Sequence, residues 1–523
     1  MNSTISTIDI AVIVGYFVVV VFIGLYVSKK TRTEEDLFLG GRSLTWGFIG
    51  LSLFASNIST STIIGLSGAA YTSGIVQSVY EWMTGIPLII AAFIFIPIYL
   101  RTRITTIPEF LLYRYDRRSQ LFFSVVTIIA SILVETAGGL YAGAIVLKTF
   151  FPDLLIWQVT LFLAGFAGLY TIFGGLKAVV YTDALQAIIL IVGCGVMSWY
   201  MFARFDFDWG QVVAATREGH LSVVRPIDDP SLPWPGLLLG VQLLGFWYWT
   251  TNQYIVQRIL GAKDVRHARW GALLAGFLKL IPLFIMVLPG VMAISLFPNL
   301  VDGDMVFPTM VTEVLPIGLV GLVLAGLISA VMSSIDSTLN SASTLVVVDF
   351  IKPLRKEATQ SQLIGYGRIT TVVLMIIAAV WAPMIALFGG IWFYLQQMYS
   401  IFVPPVVVLF LVGVFYKKGN AEGAFWTLLI GVAVGITFFV LSLSDIWKIH
   451  FTITVGFVIA ISAIVFVLVS HLRKSQSHLD SSKFIFRKED LYMGNEGLSW
   501  YQDYRYQSMF LLILIAALLI AFW

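Results

Sequence analysis

A run of small polar residues inside an apolar stretch decides the fold. It reads Leu53-Phe54-Ala55-Ser56-Asn57-Ile58-Ser59-Thr60-Ser61-Thr62-Ile63-Ile64-Gly65. Hydroxyl and amide side chains offer the backbone local hydrogen bonds that compete with those of a helix. The run therefore predicts a helix that is interrupted at mid-length. The alternative is that these side chains bond only to their own helix or pack against a neighbouring one.

The chain as a whole is too apolar to be soluble. Of its 523 residues 59% are hydrophobic and 12% charged, whereas roughly a quarter of a soluble protein is charged. About 20 apolar residues cross a bilayer, and stretches of this kind recur from Ile8 to Trp523. We predict an all-α integral membrane protein with fourteen spans, at residues 8–28, 45–71, 74–100, 119–149, 153–174, 177–203, 233–256, 269–297, 313–349, 363–386, 388–415, 422–444, 449–470 and 506–523.

Several classes of protein are disfavoured by the remaining residues. Cys194 is the only cysteine, which excludes an intramolecular disulfide and a cysteine-based metal site. The five histidines fall in or beside loops, and the net charge of +3 gives no sign of a nucleic-acid partner. The first apolar stretch lacks the basic segment and the cleavage site of a signal peptide, so we expect it to be a retained span.

The basic residues predict the orientation in the membrane. Lys and Arg are enriched in cytoplasmic loops, and here they concentrate in alternate connections. The exceptions among the 32 basic residues are Lys148, Arg204, Arg217, Arg225, Lys279 and Lys448. We therefore expect a multi-pass protein of a plasma membrane or a bacterial inner membrane, with both termini outside and a cytoplasmic linker at residues 471–505.

A second polar cluster lies in the ninth predicted span. It reads Ala330-Val331-Met332-Ser333-Ser334-Ile335-Asp336-Ser337-Thr338-Leu339-Asn340-Ser341. Ser333, Ser337 and Asn340 recur at helical spacing and form a polar stripe. Oxygen ligands suit a hard cation such as Na⁺, and interrupted helices near the bilayer midplane bind Na⁺ in secondary transporters. Simple helix packing is the alternative, but a carboxylate at mid-span, Asp336, is costly unless it is used.

Two further charges fall inside predicted spans. Glu81 and Lys279 are each expensive alone at membrane depth, so we expect them to pair across a cavity. Such a pair offers both an acceptor and donors to the hydroxyls of a solute. A purely structural ion pair is the alternative. Glu135 and Asp183 also lie in or at the ends of spans, without an assigned depth.

The seventh predicted span carries an aromatic cluster beside two amides. It reads Phe246-Trp247-Tyr248-Trp249-Thr250-Thr251-Asn252-Gln253-Tyr254. Aromatic rings stack on apolar faces while their polar tips form hydrogen bonds, which suits contact with a sugar. An interfacial aromatic belt or core packing is the alternative.

These motifs make the chain resemble the sodium/solute symporter family, and within it the sodium/glucose and sodium/galactose symporters. The resemblance spans nearly the whole chain and includes Ala55-Ser56-Asn57-Ile58-Ser59, Tyr80-Glu81-Trp82-Met83, Tyr181-Thr182-Asp183, Asn252-Gln253-Tyr254, Phe277-Leu278-Lys279 and Ser333-Ser334-Ile335-Asp336-Ser337. It implies a LeuT-type fold of two five-helix inverted repeats. The repeats would be residues 45–204 and 233–415, with residues 1–44 and 416–523 at the periphery of one transporter domain.

The resemblance also implies the ligands of two sites. A sodium site would use the backbone oxygens of Ala55, Ile58 and Ala330 and the hydroxyls of Ser333 and Ser334. The solute would contact Asn57, Thr62, Glu81, Thr84, Tyr248, Trp249, Lys279 and Gln396, with Tyr248 as an inner gate. A second Na⁺ would lie near Asp183, Ser333, Asp336 and Ser337. Thr62 and Gly245 depart from the residues of galactose symporters, which argues against galactose itself.

The sequence thus predicts a sodium-coupled symporter that imports a monosaccharide by alternating access, with Na⁺ as coupling ion and no enzymatic chemistry. A symporter for inositol, an amino sugar or another solute is the nearest alternative. A membrane sensor would add a signalling domain. An intramembrane enzyme would need a nucleophile with a base, or a metal cluster, and neither pattern is present.

Overall fold

Helices make up the described part of the chain, which in the computed structural model comprises residues 6–28, 33–150, 153–301, 303–388, 391–444, 446–473 and 481–523. Within these ranges the side chains of residues 25, 28, 149–150, 166–174, 386–388 and 391–398 are not described. The same ranges contain no β-strand, only one isolated bridge between Leu44 and Ala262. The prediction of an all-α protein is confirmed.

The main helices follow one another along the whole chain. They are α1 Thr7–Ser28, α2 Trp46–Asn57, α3 Thr60–Ser73, α4 Ile75–Thr102, α5 Arg117–Lys148, α6 Ile156–Ala203, α7 Val241–Thr250, α8 Gln253–Leu260, α9 Val265–Leu296, α10 Leu319–Leu354, α11 Gln360–Trp381, α12 Ile391–Phe415, α13 Ala421–Leu443, α14 Phe451–Leu472 and α15 Tyr504–Ala521. Shorter helices lie between them at Glu34–Leu39, Ile107–Arg114, Trp209–Ala215 and Val306–Val314. Helix α6 is broken at Gly175, whose φ of +59° an L-residue rarely adopts.

Most of the predicted spans correspond to one helix. By length and hydropathy, ten helices among the described residues can cross a membrane, and α2 with α3 makes an eleventh. The fifth and eleventh predicted spans contain shorter apolar helices, Ile156–Gly165 and Tyr399–Phe415, and the seventh contains α7. The number fourteen therefore stays a prediction.

Two spans are broken near the middle. Helices α2 and α3 meet at an angle of 60°, as the polar run predicted. A second break separates α7 from α8, where the amides of Thr251 and Asn252 both donate to the Trp247 carbonyl. The Asn252 side chain then caps α8 by accepting from the Tyr254 amide at 3.3 Å. Each break falls in the first span of a predicted repeat.

Helix α10, the ninth predicted span, lies at the centre of the molecule. In its membrane-length window 83% of the residues are buried, more than in any of the other nine spanning helices described. It packs against α2, α6 and α8 and against the part of α5 around Glu135. The polar stripe therefore faces protein rather than lipid.

The residues before α15 pack on the ends of α4 and α9. We call residues 481–503 the docked segment. Arg101 donates to the carbonyl of Lys483, Arg266 to that of Glu496 and Arg269 to that of Asp490. The docked segment therefore fixes the end of α15 to two helices of the transporter core.

Candidate functional site

The break between α2 and α3 releases backbone oxygens from their helical partners. The Ser59 amide donates to the Asn57 carbonyl at 3.1 Å instead of to Ala55, and the Thr62 amide donates to the Ser59 hydroxyl at 3.1 Å instead of to Ile58. In a continuous helix the carbonyls of Ala55 and Ile58 would have accepted these bonds. Both carbonyls are therefore available to a cation at the break.

A cavity of about 160 Å³ lies beside the break. Six of the eight predicted solute contacts line it, namely Asn57, Thr62, Glu81, Thr84, Tyr248 and Trp249. Ser334 of the predicted sodium site and Gly245 line it as well. Lys279 lies behind its wall, and Gln396 is among the residues whose side chains are not described.

Glu81 and Lys279 form the buried ion pair that the sequence predicted. The Lys279 ammonium donates to the Glu81 carboxylate and to the side-chain oxygen of Asn57. The lysine side chain is fully buried and the glutamate side chain is 7% exposed. The pair thus joins α9, α4 and the end of α2 at the cavity wall.

The aromatic cluster of the seventh predicted span also borders the cavity. The Tyr254 hydroxyl donates to the Tyr248 hydroxyl across the break between α7 and α8. The Tyr248 ring meets the Trp249 ring edge-on, with centroids 5.3 Å apart. The Trp249 ring centroid lies 6.0 Å from the Lys279 ammonium nitrogen. These rings are therefore core residues beside a cavity and not a membrane-surface belt.

The serine hydroxyls of α10 contact different parts of the protein. Ser334 donates to the Ala330 carbonyl at 3.0 Å and lines the cavity. Ser333 instead donates to the Asp183 carboxylate at 2.6 Å. Ser337 lies 3.0 Å from the Ser56 hydroxyl of α2. The stripe thus connects the break to α6.

An arginine that the sequence assigned to a cytoplasmic loop lies in the middle of these hydroxyls. Arg258 of α8 pairs with Asp183 at 3.0 Å and donates to Ser52 at 2.6 Å. It also donates to Ser56 and Ser337. Asp183, Ser333 and Ser337 of the predicted second sodium site therefore lie together, with a guanidinium among them. Asp336 is buried, and both Asp336 and Asp183 interact electrostatically with Tyr16 of α1.

Sequence reasoning missed four residues of the site. Three of them line the cavity without a predicted role, namely Glu135, Tyr254 and Tyr399. The fourth, Arg258, is the centre of the hydrogen-bond network with Asp183 and the serines. The mid-span position of Glu135 was the one available signal, because buried carboxylates at membrane depth are usually functional. The others depend on contacts between distant parts of the chain.

Comparison with known proteins identifies the family. The model of the sodium:solute symporter family matches residues 37–431. Sodium/myo-inositol cotransporter 2 of Sus scrofa is 36% identical over 478 residues, covering 84% of this chain and 71% of that protein. Sodium/glucose cotransporter 1 of Sus scrofa is 34% identical over 471 residues, with 82% and 71% covered. The chain belongs to the sodium:solute symporter family. This symporter is a multi-pass, sodium-coupled membrane protein, and its relatives are cotransporters rather than enzymes.

Solved structures confirm the fold of the symporter. A Na⁺-coupled sialic acid symporter in a substrate-bound outward-open state superposes with a TM-score of 0.80, at 22% identity, over 90% of this chain and 98% of that one. A nucleobase-cation-symport-1 family transporter in a closed conformation gives a TM-score of 0.55 at 13% identity, over 86% and 98%. The LeuT-type transporter fold implied by the sequence is therefore correct.

Proposed function

We propose that this symporter imports a neutral polyhydroxyl solute, a monosaccharide, together with Na⁺. The observation that carries the proposal is the Glu81–Lys279 pair beside a cavity with aromatic walls. A carboxylate accepts and an ammonium donates, which matches hydroxyls that do both. The aromatic walls suit the apolar face of a sugar ring. The pair carries no net charge, so it gives no preference to an anionic solute.

The nearest alternative is a cyclitol. Inositol presents hydroxyls all around a ring of the same size as a pyranose, and relatives named for myo-inositol and for glucose match this chain about equally well. The glycine at position 245 is also consistent with a solute other than galactose. A Cβ atom at this position would lie 3.1 Å from Pro87, so the cavity wall is tight there. A larger polar side chain, as in galactose symporters, would need Pro87 to move.

We propose that the coupling Na⁺ binds at the break. Its ligands would be the backbone oxygens of Ala55, Ile58 and Ala330 and the hydroxyls of Ser333 and Ser334. The amides of Ser59 and Thr62 donate elsewhere and leave the carbonyls of Ala55 and Ile58 without their helical donors, which supports these two ligands. Ser334 lines the solute cavity, so an ion held by it would lie next to the solute. Binding of Na⁺ would thus order one wall of the solute cavity.

The proposed second Na⁺ site involves Asp183, Asp336 and Ser337 and competes with Arg258. The guanidinium already donates to Asp183 and Ser337. A second ion would therefore enter when Arg258 withdraws, with the two cations as alternative partners of one carboxylate. Asp336 would contribute through its negative field.

For the transport cycle we propose alternating access between two inverted repeats. The repeats are residues 45–204 and 233–415, and a broken helix begins each of them. Both termini would face outward, which places Arg258 and the docked segment on the cytoplasmic side. The cytoplasmic end would then open when Arg258 releases its partners in α2, α6 and α10.

Uptake by proteoliposomes tests the proposal. The purified protein is reconstituted, an inward Na⁺ gradient is imposed, and labelled glucose, galactose, myo-inositol, an amino sugar, sialate and proline are compared. We expect Na⁺-dependent accumulation of a neutral polyol and none with a K⁺ gradient. Accumulation of only sialate or proline would overturn the proposed solute class.

A further inference from the structure

Glu135 occupies an unusual position in the wall of the cavity. It lies in a π-helical turn of α5, residues Ala130–Thr136, and such turns are frequent at functional sites. The next residue, Thr136, shares a hydrogen bond of 2.6 Å with Thr338 of α10. The turn is therefore held against the central helix, and Glu135 lines the cavity together with Val134 and Gly138.

The carboxylate of Glu135 is only partly satisfied. Its neighbour among the described residues is the Tyr254 hydroxyl, whose one proton is donated to Tyr248, and its Oε1 atom is buried without a hydrogen-bond partner among those residues. Glu81, by contrast, is paired with Lys279. Burying a carboxylate that lacks a donor is costly, and at membrane depth such a group is expected to serve a ligand.

Glu135 is also linked to the predicted solute contacts. Tyr254 bonds to the Tyr248 hydroxyl, and Tyr248 interacts with Asn57, which accepts from Lys279. Lys279 in turn binds Glu81. A continuous chain of polar groups therefore runs along the cavity wall and has a carboxylate at each end, Glu81 and Glu135. Only the first of these has a basic partner within it.

From this arrangement we infer that Glu135 is a second carboxylate contact of the solute and determines its specificity. The inference rests on the proposed function. A carboxylate is an acceptor only, so the solute must present hydroxyl donors both to Glu81 and to Glu135. A solute with hydroxyls on two separate parts of its ring satisfies both ends. One that carries an ether or a methylene at the second position does not.

A different role would be purely structural, in which Glu135 only orients Tyr254 and hence the gate residue Tyr248. The two roles differ in one measurable respect. A structural defect lowers the affinity for all solutes by a similar factor. A lost contact instead removes the discrimination against one particular deoxy analogue. Comparing variants with analogues in this way isolates the pairwise interaction.

The experiment uses the full-length protein in saturating Na⁺ and the neutral polyol with the strongest uptake. Affinities of this solute and of its monodeoxy analogues are measured by isothermal titration for the wild type, Glu135→Ala, Glu135→Gln and the control Glu313→Gln, a change at an exposed glutamate. In the wild type we expect the deletion of one particular hydroxyl to weaken binding by about 10-fold to 150-fold, as for a charge-assisted hydrogen bond. In Glu135→Ala that loss shrinks to less than about threefold, while losses at other hydroxyls persist. Glu313→Gln behaves as the wild type.

The outcomes separate the inference from the proposed function. If every deoxy analogue keeps its wild-type ratio in Glu135→Ala, the contact does not exist and the inference is overturned, although sugar transport stands. If Glu135→Ala fails to fold, Glu135→Gln is used for the comparison. Removing the charge should also remove most of the affinity loss that the deletion of this hydroxyl causes in the wild type. Absence of Na⁺-dependent binding of every polyol by the wild type overturns the proposed function itself.

Discussion

Arg258 and Asp183 form a fully enclosed ion pair that joins two halves of the transporter. The nitrogen–oxygen distance is 3.0 Å, and the side chains are 1% and 0% exposed. Asp183 belongs to α6 in the first predicted repeat and Arg258 to α8 in the second. Serines of α2 and α10 complete the network. The pair therefore joins α6 and α8 at one end of the site, and in the proposed transport cycle it would open for a solute to leave.

The first prediction concerns the stability of this conformation. Arg258→Met should lower the free energy of unfolding by about 3–5 kcal/mol, because it leaves a buried carboxylate without its partner. Adding Asp183→Asn should recover much of the loss, since no uncompensated charge remains. The unfolding temperature in detergent gives the measurement. Lys352→Gln is the control, as it removes an exposed ion pair with Glu34 that is worth about 0–1 kcal/mol.

The second prediction is a coupling ratio of two Na⁺ per solute. Each Na⁺ entering through 100 mV contributes about 2.3 kcal/mol, and a tenfold gradient adds about 1.4. One ion thus supports an accumulation of about 500-fold, and two ions support its square. Reversal potentials of reconstituted protein in imposed gradients report the ratio. We expect two for the wild type and one for Asp183→Asn. A ratio of one in both proteins would remove the second site and leave Arg258 as the permanent partner of Asp183.

The third prediction separates ion binding from solute recognition. Ser334→Ala should raise the Na⁺ concentration for half-maximal transport by about tenfold, the effect of one lost ligand interaction. Solute affinity at saturating Na⁺ should change much less. Ser508→Ala is a matched control, since Ser508 also bonds to the carbonyl one turn earlier, at 2.7 Å, but lies in α15. An unchanged Na⁺ dependence in Ser334→Ala would show that the ion binds elsewhere.

The fourth prediction addresses the pair at the solute cavity. Glu81→Gln and Lys279→Met should each abolish detectable solute binding, because each removes a charge-assisted hydrogen bond of about 1.5–3 kcal/mol and leaves its partner unpaired. The double variant should regain thermal stability without regaining binding. Titration calorimetry and melting curves together distinguish this result from simple unfolding. Near-normal solute affinity in both single variants would make the pair structural.

The fifth prediction is a pH dependence of stability from His450, the residue that caps α14 immediately before the spanning helix Phe451–Leu472 begins. Burial lowers its pKa from 6.5 to about 4, and its Nδ1 atom accepts from the Thr452 amide at 3.3 Å. The unfolded chain takes up a proton near pH 6.5 and the folded one only near pH 4. Stability should therefore fall as the pH drops between these values.

Replacing the imidazole tests this pH dependence. His450→Asn retains an acceptor for the helix cap but does not titrate, so its unfolding temperature should fall less between pH 7 and pH 4.5 than that of the wild type. His471→Gln, at an exposed site at the other end of α14, should follow the wild type. Equal slopes in His450→Asn and the wild type would contradict the assignment.

Local patterns predicted the parts of the fold that depend on local chemistry. The break between α2 and α3 follows from a run of hydroxyl and amide side chains that compete for backbone bonds. The Glu81–Lys279 pair was predictable because an unpaired charge of either sign is strongly unfavourable inside a membrane. The break before α8 carried a comparable signal in Thr251 and Asn252, but the sequence analysis interpreted this stretch as a solute contact or as aromatic packing and predicted no break.

Arg258 shows what local patterns do not contain. It ends an apolar run, as a loop arginine does, and its partner Asp183 lies 75 residues away in another helix. Arg114 and Arg269 were also assigned to loops and are equally buried. Arg114 donates to the carbonyls of Gly413, Tyr416 and Gly419 near the end of α12. Only the packing of distant helices decides that such residues are enclosed, so the sequence does not predict their burial.

The docking of residues 481–503 has a consequence for how this region can evolve. Most of its contacts with Arg101, Arg266, Arg269 and Trp270 use main-chain carbonyls of the segment. Two carboxylates of the segment also act on these residues: Asp490 pairs with Arg101, and Asp490 and Asp503 both interact electrostatically with Arg269. Any amino acid supplies a carbonyl, so positions that contribute only this group can be substituted without loss of these hydrogen bonds, whereas the arginines and the buried Phe484, which stacks on Tyr113, contribute their side chains. The positions of the segment that contribute only a carbonyl are therefore free to diverge in sequence while its path over the protein stays the same.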